Sequence, residues 1–213
     1  MLIFDFFSGT GSSTQAFKDA GHTVISFELD ESFEATENVD IFLLSADYLL
    51  AQYGRPDFVW ASPPCTAFSV ASMGHHWGGG YRNYEPKTEA AKFNQELVAH
   101  TVNLINELNP SKGWLMENPR AMLRKLPVVA GLPRRTVTYC TYGDSRMKPT
   151  DLWGEVPRWV HREPCKNGQG CHEAAPRGSK TGTQGLRNAK ERSRVPYELG
   201  KEILDAIESS QSA

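Results

Sequence analysis

The chain has 213 residues, of which 39% are hydrophobic and 23% charged, and these proportions suit one ordinary soluble globular domain. No apolar run reaches the length of a membrane span, no basic-then-apolar leader is evident, and four cysteines are too few for a disulfide framework, so we expect a cytoplasmic protein without membrane contact. The net charge of −2 hides a basic second half, with 18 Lys and Arg against 11 Asp and Glu in residues 110–213, which suits a polyanionic partner.

The first predicted strand, residues 2–6, leads into a turn containing Gly9 and Gly11 and then into a helix over residues 14–20. Glycines at these positions let the backbone turn tightly and approach a ligand, and the serines and threonines around them can cap the helix. The turn lacks the third glycine of the dinucleotide fingerprint, which disfavours a nicotinamide cofactor.

Acidic residues follow the next two predicted strands. The strand at residues 23–27 ends at Glu28, roughly 20 residues after the glycine turn, where a carboxylate can accept hydrogen bonds from a ribose. The apolar run at residues 40–44 predicts a third strand, and Asp47 is among the polar residues after it. The position of Glu28 therefore suits contact to a nucleotide-like cofactor, and Asp47 is another polar group at a strand end.

A fourth apolar strand, residues 58–61, runs directly into Pro63, Pro64 and Cys65. Proline fixes φ and cannot donate to a sheet, so the strand must stop and the turn that follows is stiff. A thiol on a rigid loop past a strand end is where an open α/β sheet presents a nucleophile. The alternative, a cysteine that packs as a small apolar residue, stays open from this stretch alone.

The glycine- and aromatic-rich stretch at residues 72–87 predicts a mobile loop that covers a substrate, and apolar residues at helical spacing predict a structural helix over residues 88–108. A strand at 114–116 then ends at Glu117 and Asn118, and a carboxylate beside the strand of a nucleophile can serve as an acid or a hydrogen-bond partner. A further strand is predicted at 136–140, and a last helix from Tyr197 to about residue 209.

Periodicity disappears between residues 152 and 194, where glycine, proline and basic residues dominate. This stretch holds four possible metal ligands: His161, Cys165, Cys171 and His172. Three interpretations stay open, namely a zinc site, a free polar loop, and a Cys165–Cys171 disulfide that a cytoplasmic setting disfavours.

Taken in order, these strand ends resemble the cytosine carbon-5 DNA methyltransferase family. The resemblance implies that Cys65 is the attacking thiolate and that Glu117 holds the target base. It implies an S-adenosylmethionine site at Phe7, Ser8, Gly9, Thr10, Gly11, Glu28, Leu29, Asp47 and Pro63. It also implies substrate contacts from Pro64, Ser69, Asn118, Arg146 and Lys148.

The same resemblance implies a Rossmann-like α/β fold, a methyltransferase sheet with helices on both faces, plus a small irregular basic segment. We expect a catalytic, cofactor-binding domain over residues 1–151, a reduced target-recognition segment over 152–194, and a C-terminal helix over 195–213 that returns to the catalytic domain. Because a base stacked in duplex DNA is out of reach, the family flips it out of the helix.

The sequence departs from the family pattern at three motifs and in size. Glu117 and Asn118 are followed by proline rather than valine, Arg146-Met147-Lys148 replaces a Gln-x-Arg-x-Arg pattern, and no asparagine is evident before Val195-Pro196. The recognition segment is also much shorter than the family's. Such a reduction implies low sequence specificity, a protein partner that supplies specificity, or a substrate other than long duplex DNA. A catalytically silent nucleic-acid- or cofactor-binding module is the alternative from another functional class.

Overall fold

Seven strands form one central sheet in the computed structural model, which describes residues 1–80, 83–166, 168–174 and 188–209. The sheet order is β3-β2-β1-β4-β7-β9-β8, and β5 and β6 form a separate hairpin. The strands are β1 (Leu2–Phe6), β2 (Thr23–Glu28), β3 (Glu37–Asn38), β4 (Phe58–Ala61), β5 (Trp77–Gly80), β6 (Asn83–Pro86), β7 (Trp114–Pro119), β8 (Arg134–Thr138) and β9 (Pro149–Glu155).

Strands β1, β2, β3, β4 and β7 are parallel, whereas β9 is antiparallel to both of its neighbours, β7 and β8. The carboxyl ends of β1, β2, β4, β7 and β8 therefore meet at one edge of the sheet, together with the start of β9. Residues that follow these strands are brought close to one another, as ligand sites in open α/β sheets require.

Helices cover both faces of this sheet, as the sequence predicts. The helices are α1 (Gln15–Asp19), α2 (Ala46–Tyr53), α3 (Met73–His76), α4 (Glu89–Leu108), α5 (Ala189–Ser193) and α6 (Tyr197–Ser209). Alternate residues of β1 supply the two cores, because Phe4 and Phe6 pack with α2 and α4, whereas Ile3 packs with α1 and α6. In the described parts of the chain, no helix has both the length and the apolar character of a membrane span.

The third strand is shorter and earlier than the predicted one. Residues 40–44 form a 3-10 turn instead, because the Asp40 carboxylate accepts from the Phe42 amide and starts the turn. The buried residues of this apolar run, Ile41 and Leu44, are three positions apart, as on one face of a helix. Asp40 is therefore the acidic residue at this strand end, and the predicted cofactor contact Asp47 lies exposed in the first turn of α2.

The stretch predicted to be a mobile loop forms the short helix α3 and the β5–β6 hairpin, and Tyr81 and Arg82 lie outside the described residues. The hairpin is fixed to the loop after β4. The Trp77 indole nitrogen donates to the Ala67 carbonyl at 2.8 Å, and its ring stacks on Phe68 with the centroids 6.0 Å apart. Trp77 therefore anchors this stretch, and Gly79, with a φ of 77°, lets the two strands of the hairpin approach closely.

Strand β9 crosses the expected boundary between residues 151 and 152, so the central sheet extends to Glu155. The irregular segment begins after it, and within the described residues it contains no regular element before α5. The final helix α6 lies where the sequence predicts it and packs against α1, with Leu199, Ile203 and Ile207 buried.

Candidate active site

The loop after β4 is a tight turn that presents Cys65. The Cys65 carbonyl accepts hydrogen bonds from the amides of Phe68 at 3.0 Å and Ser69 at 2.9 Å. Pro63 is buried, Pro64 is exposed and Cys65 is half-buried, so the thiol lies at the boundary between the core and the surface. The two prolines end the strand and limit the turn's freedom, as the sequence predicts.

Burial and three charged groups, Glu117, Lys148 and Arg192, act on the pKa of this thiol. Burial raises the pKa of Cys65 above its ordinary value, and the nearby Glu117 carboxylate raises it further. The ammonium group of Lys148 opposes both effects and lowers the pKa of the thiol. The site therefore brings together three residues that the sequence places 52 and 31 positions apart.

Glu117 and Asn118 lie near the end of β7, which pairs with β4 through Ala61 and Met116. The Glu117 side chain is almost fully buried, and its Oε1 accepts a hydrogen bond of 2.9 Å from the Tyr139 hydroxyl. Burial, and then the charge of Glu117, raises the pKa of Tyr139 well above its ordinary value. Tyr139 therefore keeps its proton and stays a donor. The sequence pattern predicts no role for this tyrosine.

Asn118 connects the two strand ends directly. Its Nδ2 donates to the carbonyl oxygen of Pro63 at 2.9 Å, so β7 holds the loop that carries Cys65. The Asn118 side chain is fully buried, and its Oδ1 has no hydrogen-bond partner among the described residues. A buried acceptor without a partner is costly, which points to a ligand donor at this position.

Lys148 lies beside this pair, immediately before β9. Its Nζ is 3.8 Å from Oε1 of Glu117 and 4.5 Å from the centre of the Tyr139 ring, and it donates to the Arg192 carbonyl at 3.1 Å. A positive φ of 25° at Lys148 is strained for a residue with a side chain. Strain at this position is consistent with a functional demand on the lysine.

Arg146, a predicted substrate contact, is bonded to protein groups on several sides. Its buried guanidinium pairs with Asp144 and donates to the carbonyls of Glu191 and Arg192, both at 3.0 Å. These contacts hold the segment before α6 against the turn after β8. The guanidinium is occupied by structural partners, because five donors are better satisfied by nearby oxygens than left buried and unpaired.

The glycine turn after β1 has the backbone of a ligand-binding loop. Phe7, Gly9 and Gly11 all have positive φ values, of 59°, 48° and 67°, and only glycine adopts such values without strain. The Gly9 amide donates to Oε2 of Glu28 at 2.8 Å, which joins the ends of β1 and β2. The Oγ of Ser8 is buried and has no hydrogen-bond partner among the described residues.

Other predicted cofactor and substrate residues lie around these two loops. Leu29 is 64% exposed beyond β2, and its amide donates to Oε1 of Glu28 at 2.9 Å. Thr10 donates to the Ser12 hydroxyl within the glycine turn at 3.1 Å. The Ser69 hydroxyl is 2.8 Å from that of Ser72 in the turn after Cys65.

Beneath the glycine turn lies Asp5, a buried carboxylate that the sequence analysis did not single out. It accepts hydrogen bonds from the hydroxyls of Ser13 and Thr14, with a distance of 2.7 Å to Thr14. Burial raises the pKa of Asp5 to about 6, although both hydroxyls lower it. A charged residue within the apolar run of β1 was the signal that could have identified it.

Three of the four predicted metal ligands lie together at the end of β8, but His161 does not. Cys165, Cys171 and His172 are joined by Cys140, and one ligand atom from each lies within 4.8 Å of all the others. Cys140, rather than the predicted His161, is the fourth member of this group. The 3-10 turn after β8 brings Cys140 under the irregular segment. The His161 ring packs instead beside Trp159, with the centroids 6.1 Å apart.

Comparison with known proteins identifies the family that this chain matches. A family model described as C-5 cytosine-specific DNA methylase matches residues 1–126. A Frog virus 3 (isolate Goorha) protein described as "Probable DNA (cytosine-5)-methyltransferase" is 31% identical over 224 residues, covering 96% of this chain and 99% of the viral protein.

The fold also resembles solved structures. The Entamoeba histolytica methyltransferase EhMeth superimposes with a TM-score of 0.54 at 14% identity, over 76% of this chain and 55% of that one. A Spodoptera frugiperda DNMT2 gives a TM-score of 0.47 at 14% identity, over 73% of this chain and 50% of that one. The chain therefore spans about half the length of the solved structures that it resembles.

Proposed function

The chain belongs to the C-5 cytosine-specific DNA methylase family, and we propose that it transfers a methyl group from S-adenosylmethionine to carbon 5 of cytosine in DNA. One observation carries the proposal: Cys65 and Glu117 lie at the ends of the paired strands β4 and β7, and the charge of Glu117 reaches the thiol. The reaction needs a thiol nucleophile and a hydrogen-bonding carboxylate at one site.

Carbon 5 of cytosine becomes nucleophilic only when a group adds to carbon 6. In the proposed reaction, the thiolate sulfur of Cys65 forms a bond to carbon 6, and the electrons of the C5–C6 double bond make the ring enamine-like. S-adenosylmethionine, when bound, would supply an electrophilic methyl group to carbon 5, and the electrons of the broken sulfur–methyl bond would stay on the sulfur of S-adenosylhomocysteine. The proton on carbon 5 then leaves to solvent, and the bond to Cys65 breaks with its electrons returning to sulfur, which restores the aromatic ring.

Glu117 holds the pyrimidine edge in this proposal. Tyr139 and Lys148 both approach its Oε1, so the carboxylate has a fixed orientation before the base arrives. A carboxyl group that hydrogen-bonds N3 and the 4-amino group stabilises the charge that develops in the ring when the thiolate adds. The unpartnered Oδ1 of Asn118 offers an additional acceptor to the flipped nucleotide.

The cofactor site fits the edge formed by β1 and β2. Gly9 and Gly11 let the backbone approach the cofactor, and Glu28 is placed to accept from the ribose hydroxyls. The buried hydroxyl of Ser8, unpartnered among the described residues, is available to a polar group of the cofactor. We include Asp40 beside the predicted Asp47, because only Val39 separates Asp40 from the end of β3.

DNA is proposed as the substrate from the family and from the basic second half of the chain. The short recognition segment favours a second candidate, the same chemistry on single-stranded DNA, on RNA or on a free pyrimidine nucleotide. If the substrate is long DNA, a protein partner is the other possible source of sequence specificity. Steep weakening of binding with added salt distinguishes a polymer from a nucleotide, since counterion release requires many phosphates.

Incubation of the purified chain with S-adenosylmethionine carrying a labelled methyl group tests the proposal. We expect mass spectrometry of digested nucleosides to detect labelled 5-methylcytosine after incubation with duplex DNA, and none with Cys65→Ser. Parallel samples of single-stranded DNA, RNA and cytidine nucleotides identify the substrate class. Label in none of these substrates, from a chain that binds S-adenosylmethionine, would contradict the proposal and favour a silent binding module.

A further inference from the structure

Four side chains meet in one cluster that the methyl-transfer chemistry does not use: Cys140, Cys165, Cys171 and His172. We call these residues the Cys/His cluster. The sulfur atoms of Cys165 and Cys171 are 3.1 Å apart, and those of Cys171 and Cys140 are 3.7 Å apart. The Nδ1 atom of His172 is 3.4 Å from the sulfur of Cys165 and 3.7 Å from that of Cys171.

Three of these four separations, at 3.4 and 3.7 Å, are close to the edges of a metal-centred tetrahedron, and the 3.1 Å between Cys165 and Cys171 is shorter than such an edge. Zinc bonds to sulfur at about 2.3 Å and to imidazole nitrogen at about 2.0–2.1 Å, so ligand atoms around one ion lie roughly 3.5–3.8 Å apart. A disulfide needs two sulfurs at about 2.05 Å, and all four cysteines of the chain are free thiols. Three sulfurs and one nitrogen in this arrangement are typical of zinc.

We propose that the Cys/His cluster binds one Zn²⁺ ion as a closed structural site. Four protein ligands leave no open position for substrate or water, which is the property that separates structural from catalytic zinc sites. The three thiols lose their protons to solvent when the ion binds, and the imidazole binds through its neutral Nδ1. The proposal goes beyond methyl transfer and does not depend on it.

The position of the cluster explains why a metal is needed there. The described residues between β9 and α5 form no regular helix or strand, and few apolar side chains anchor them. Two backbone bonds reach the rest of the chain near the cluster: the Cys165 amide donates to Thr138 Oγ1 at 2.8 Å, and the Glu173 amide donates to the Ser145 carbonyl at 2.9 Å. A zinc ion would add four strong bonds that join this segment to the end of β8.

The site would also stabilise the catalytic edge of the sheet. Cys140 directly follows Tyr139, the residue whose hydroxyl holds Glu117. Fixing Cys140 therefore restrains the backbone that positions Tyr139. On this proposal zinc acts through structure, so its loss lowers stability rather than removing a chemical step.

Metal analysis of the purified wild-type chain tests this proposal. We expect elemental mass spectrometry to find one zinc per chain, and Cys140→Ser and Cys171→Ser each to lose most of it. Cys65→Ser is the matched control, since it removes the one cysteine outside the cluster, and His161→Ala removes the histidine that the structure leaves out. Both controls should retain the metal.

A second measurement uses only the wild-type chain, because a cluster variant that fails to fold would say nothing about ligands. Removal of the metal by a chelator should lower the melting temperature, and added Zn²⁺ should restore it. Replacement by Co²⁺ should give the visible absorption of tetrahedral thiolate coordination. The proposal is overturned if the wild-type chain, purified and then supplied with Zn²⁺, holds no metal, or if its mass shows the loss of two hydrogens to a Cys165–Cys171 disulfide.

Discussion

Tyr139 donates its hydroxyl hydrogen to Oε1 of Glu117 across 2.9 Å, and both side chains are buried. Tyr139 follows β8, and Glu117 lies near the end of β7. Strand β9 separates these two strands in the sheet. The antiparallel insertion of β9 therefore sets the distance at which a tyrosine can support the carboxylate. Glu117 keeps one orientation because its partner cannot easily ionise, burial having raised the pKa of Tyr139 well above its ordinary value.

Replacement of Tyr139 by phenylalanine should slow methyl transfer by roughly 10- to 100-fold, since a hydrogen bond to a charged group contributes about 1.5–3 kcal/mol. Single-turnover kinetics with labelled S-adenosylmethionine measures this loss. Tyr142→Phe is the control, because Tyr142 is also buried but its hydroxyl accepts from the Arg162 amide at 3.0 Å. Equal rate losses in the two variants would contradict a specific role for Tyr139.

Asn118→Ala should separate the Cys65 loop from β7. Loss of the 2.9 Å bond leaves the buried Pro63 carbonyl without its donor, which costs about 1–3 kcal/mol of unfolding free energy. We expect a lower melting temperature together with a large loss of methyl transfer. The control is Asn94→Ala, which removes a buried amide that donates to the Ala90 carbonyl within α4 at 2.7 Å.

The control variant should lose comparable stability but keep its rate of methyl transfer at temperatures where it is folded. Thermal melts and activity assays on the same samples make the comparison. If both variants lose activity only in proportion to the unfolded fraction, Asn118 has no positioning role at Cys65.

The reactivity of Cys65 should rise with pH through and beyond neutrality. The thiolate is the reactive form, and burial followed by the Glu117 charge holds the pKa of this thiol above its ordinary value. Below that pKa, the rate of alkylation by iodoacetamide should increase about tenfold per pH unit. Quantitative peptide mass spectrometry follows Cys65 separately from the other three cysteines.

Lys148→Met should move this pH profile to higher pH, because the lysine charge is the largest of the effects that lower the pKa of Cys65. Lys201→Met serves as the control, since Lys201 is exposed on α6 and pairs with Asp205. A profile that is unmoved in Lys148→Met, or that moves to lower pH, would show that the Lys148 ammonium does not act on the thiol.

Asp5 should make the chain less stable as the pH rises from about 4 to about 6. Its folded-state pKa of about 6 lies above the ordinary 3.8, so the folded chain binds more protons than the unfolded chain in this range. Asp5→Asn removes the effect, and we expect the wild type to lose up to about 3 kcal/mol relative to the variant across this window. Chemical denaturation at pH 4, 5, 6 and 7 measures the difference.

Asp57→Asn provides a comparison, because the stability that Asp57 contributes should change with pH in the opposite direction to that of Asp5. Burial alone would raise the pKa of Asp57, but hydrogen bonds from the Leu2 amide and the Ser111 hydroxyl hold it below its ordinary value. The wild type should therefore gain stability over this variant as the pH rises through the acid range. If the stability difference between wild type and variant changes with pH in the same direction for both variants, the raised pKa of Asp5 is contradicted.

The parallel strands and their carboxyl-end residues could be predicted because apolar runs end abruptly at glycine, proline or acid. Cys65, Glu117 and the glycine turn are local features of that kind. Strand β3 was missed because an Asp40 cap competes with strand pairing, and such a cap is visible only when the backbone is known. The stretch at residues 72–87 is predicted as a mobile loop, although Trp77 packs on Phe68.

The other contacts that the sequence does not predict join residues that are distant in sequence. Arg146 is a basic residue at the expected position in the sequence. The carbonyl oxygens that accept hydrogen bonds from it, however, belong to a segment 45–48 residues later in the chain. Cys140 and His161 exchange roles at the Cys/His cluster for the same reason. Side-chain type predicts which chemistry a residue can perform, whereas the topology of β8 and β9 decides which residues meet.

The central claim is that the Cys65 sulfur attacks carbon 6 of a cytosine base held by Glu117. An oligonucleotide with 5-fluorocytosine tests it most directly, because fluorine at carbon 5 cannot leave as a proton and the bond to sulfur is trapped. With S-adenosylmethionine present, we predict a denaturant-resistant adduct whose mass equals chain, oligonucleotide and methyl group together, with the crosslink mapped to Cys65. A chain that methylates the unmodified oligonucleotide but forms no such adduct, or an adduct that persists in Cys65→Ser, would contradict the claim.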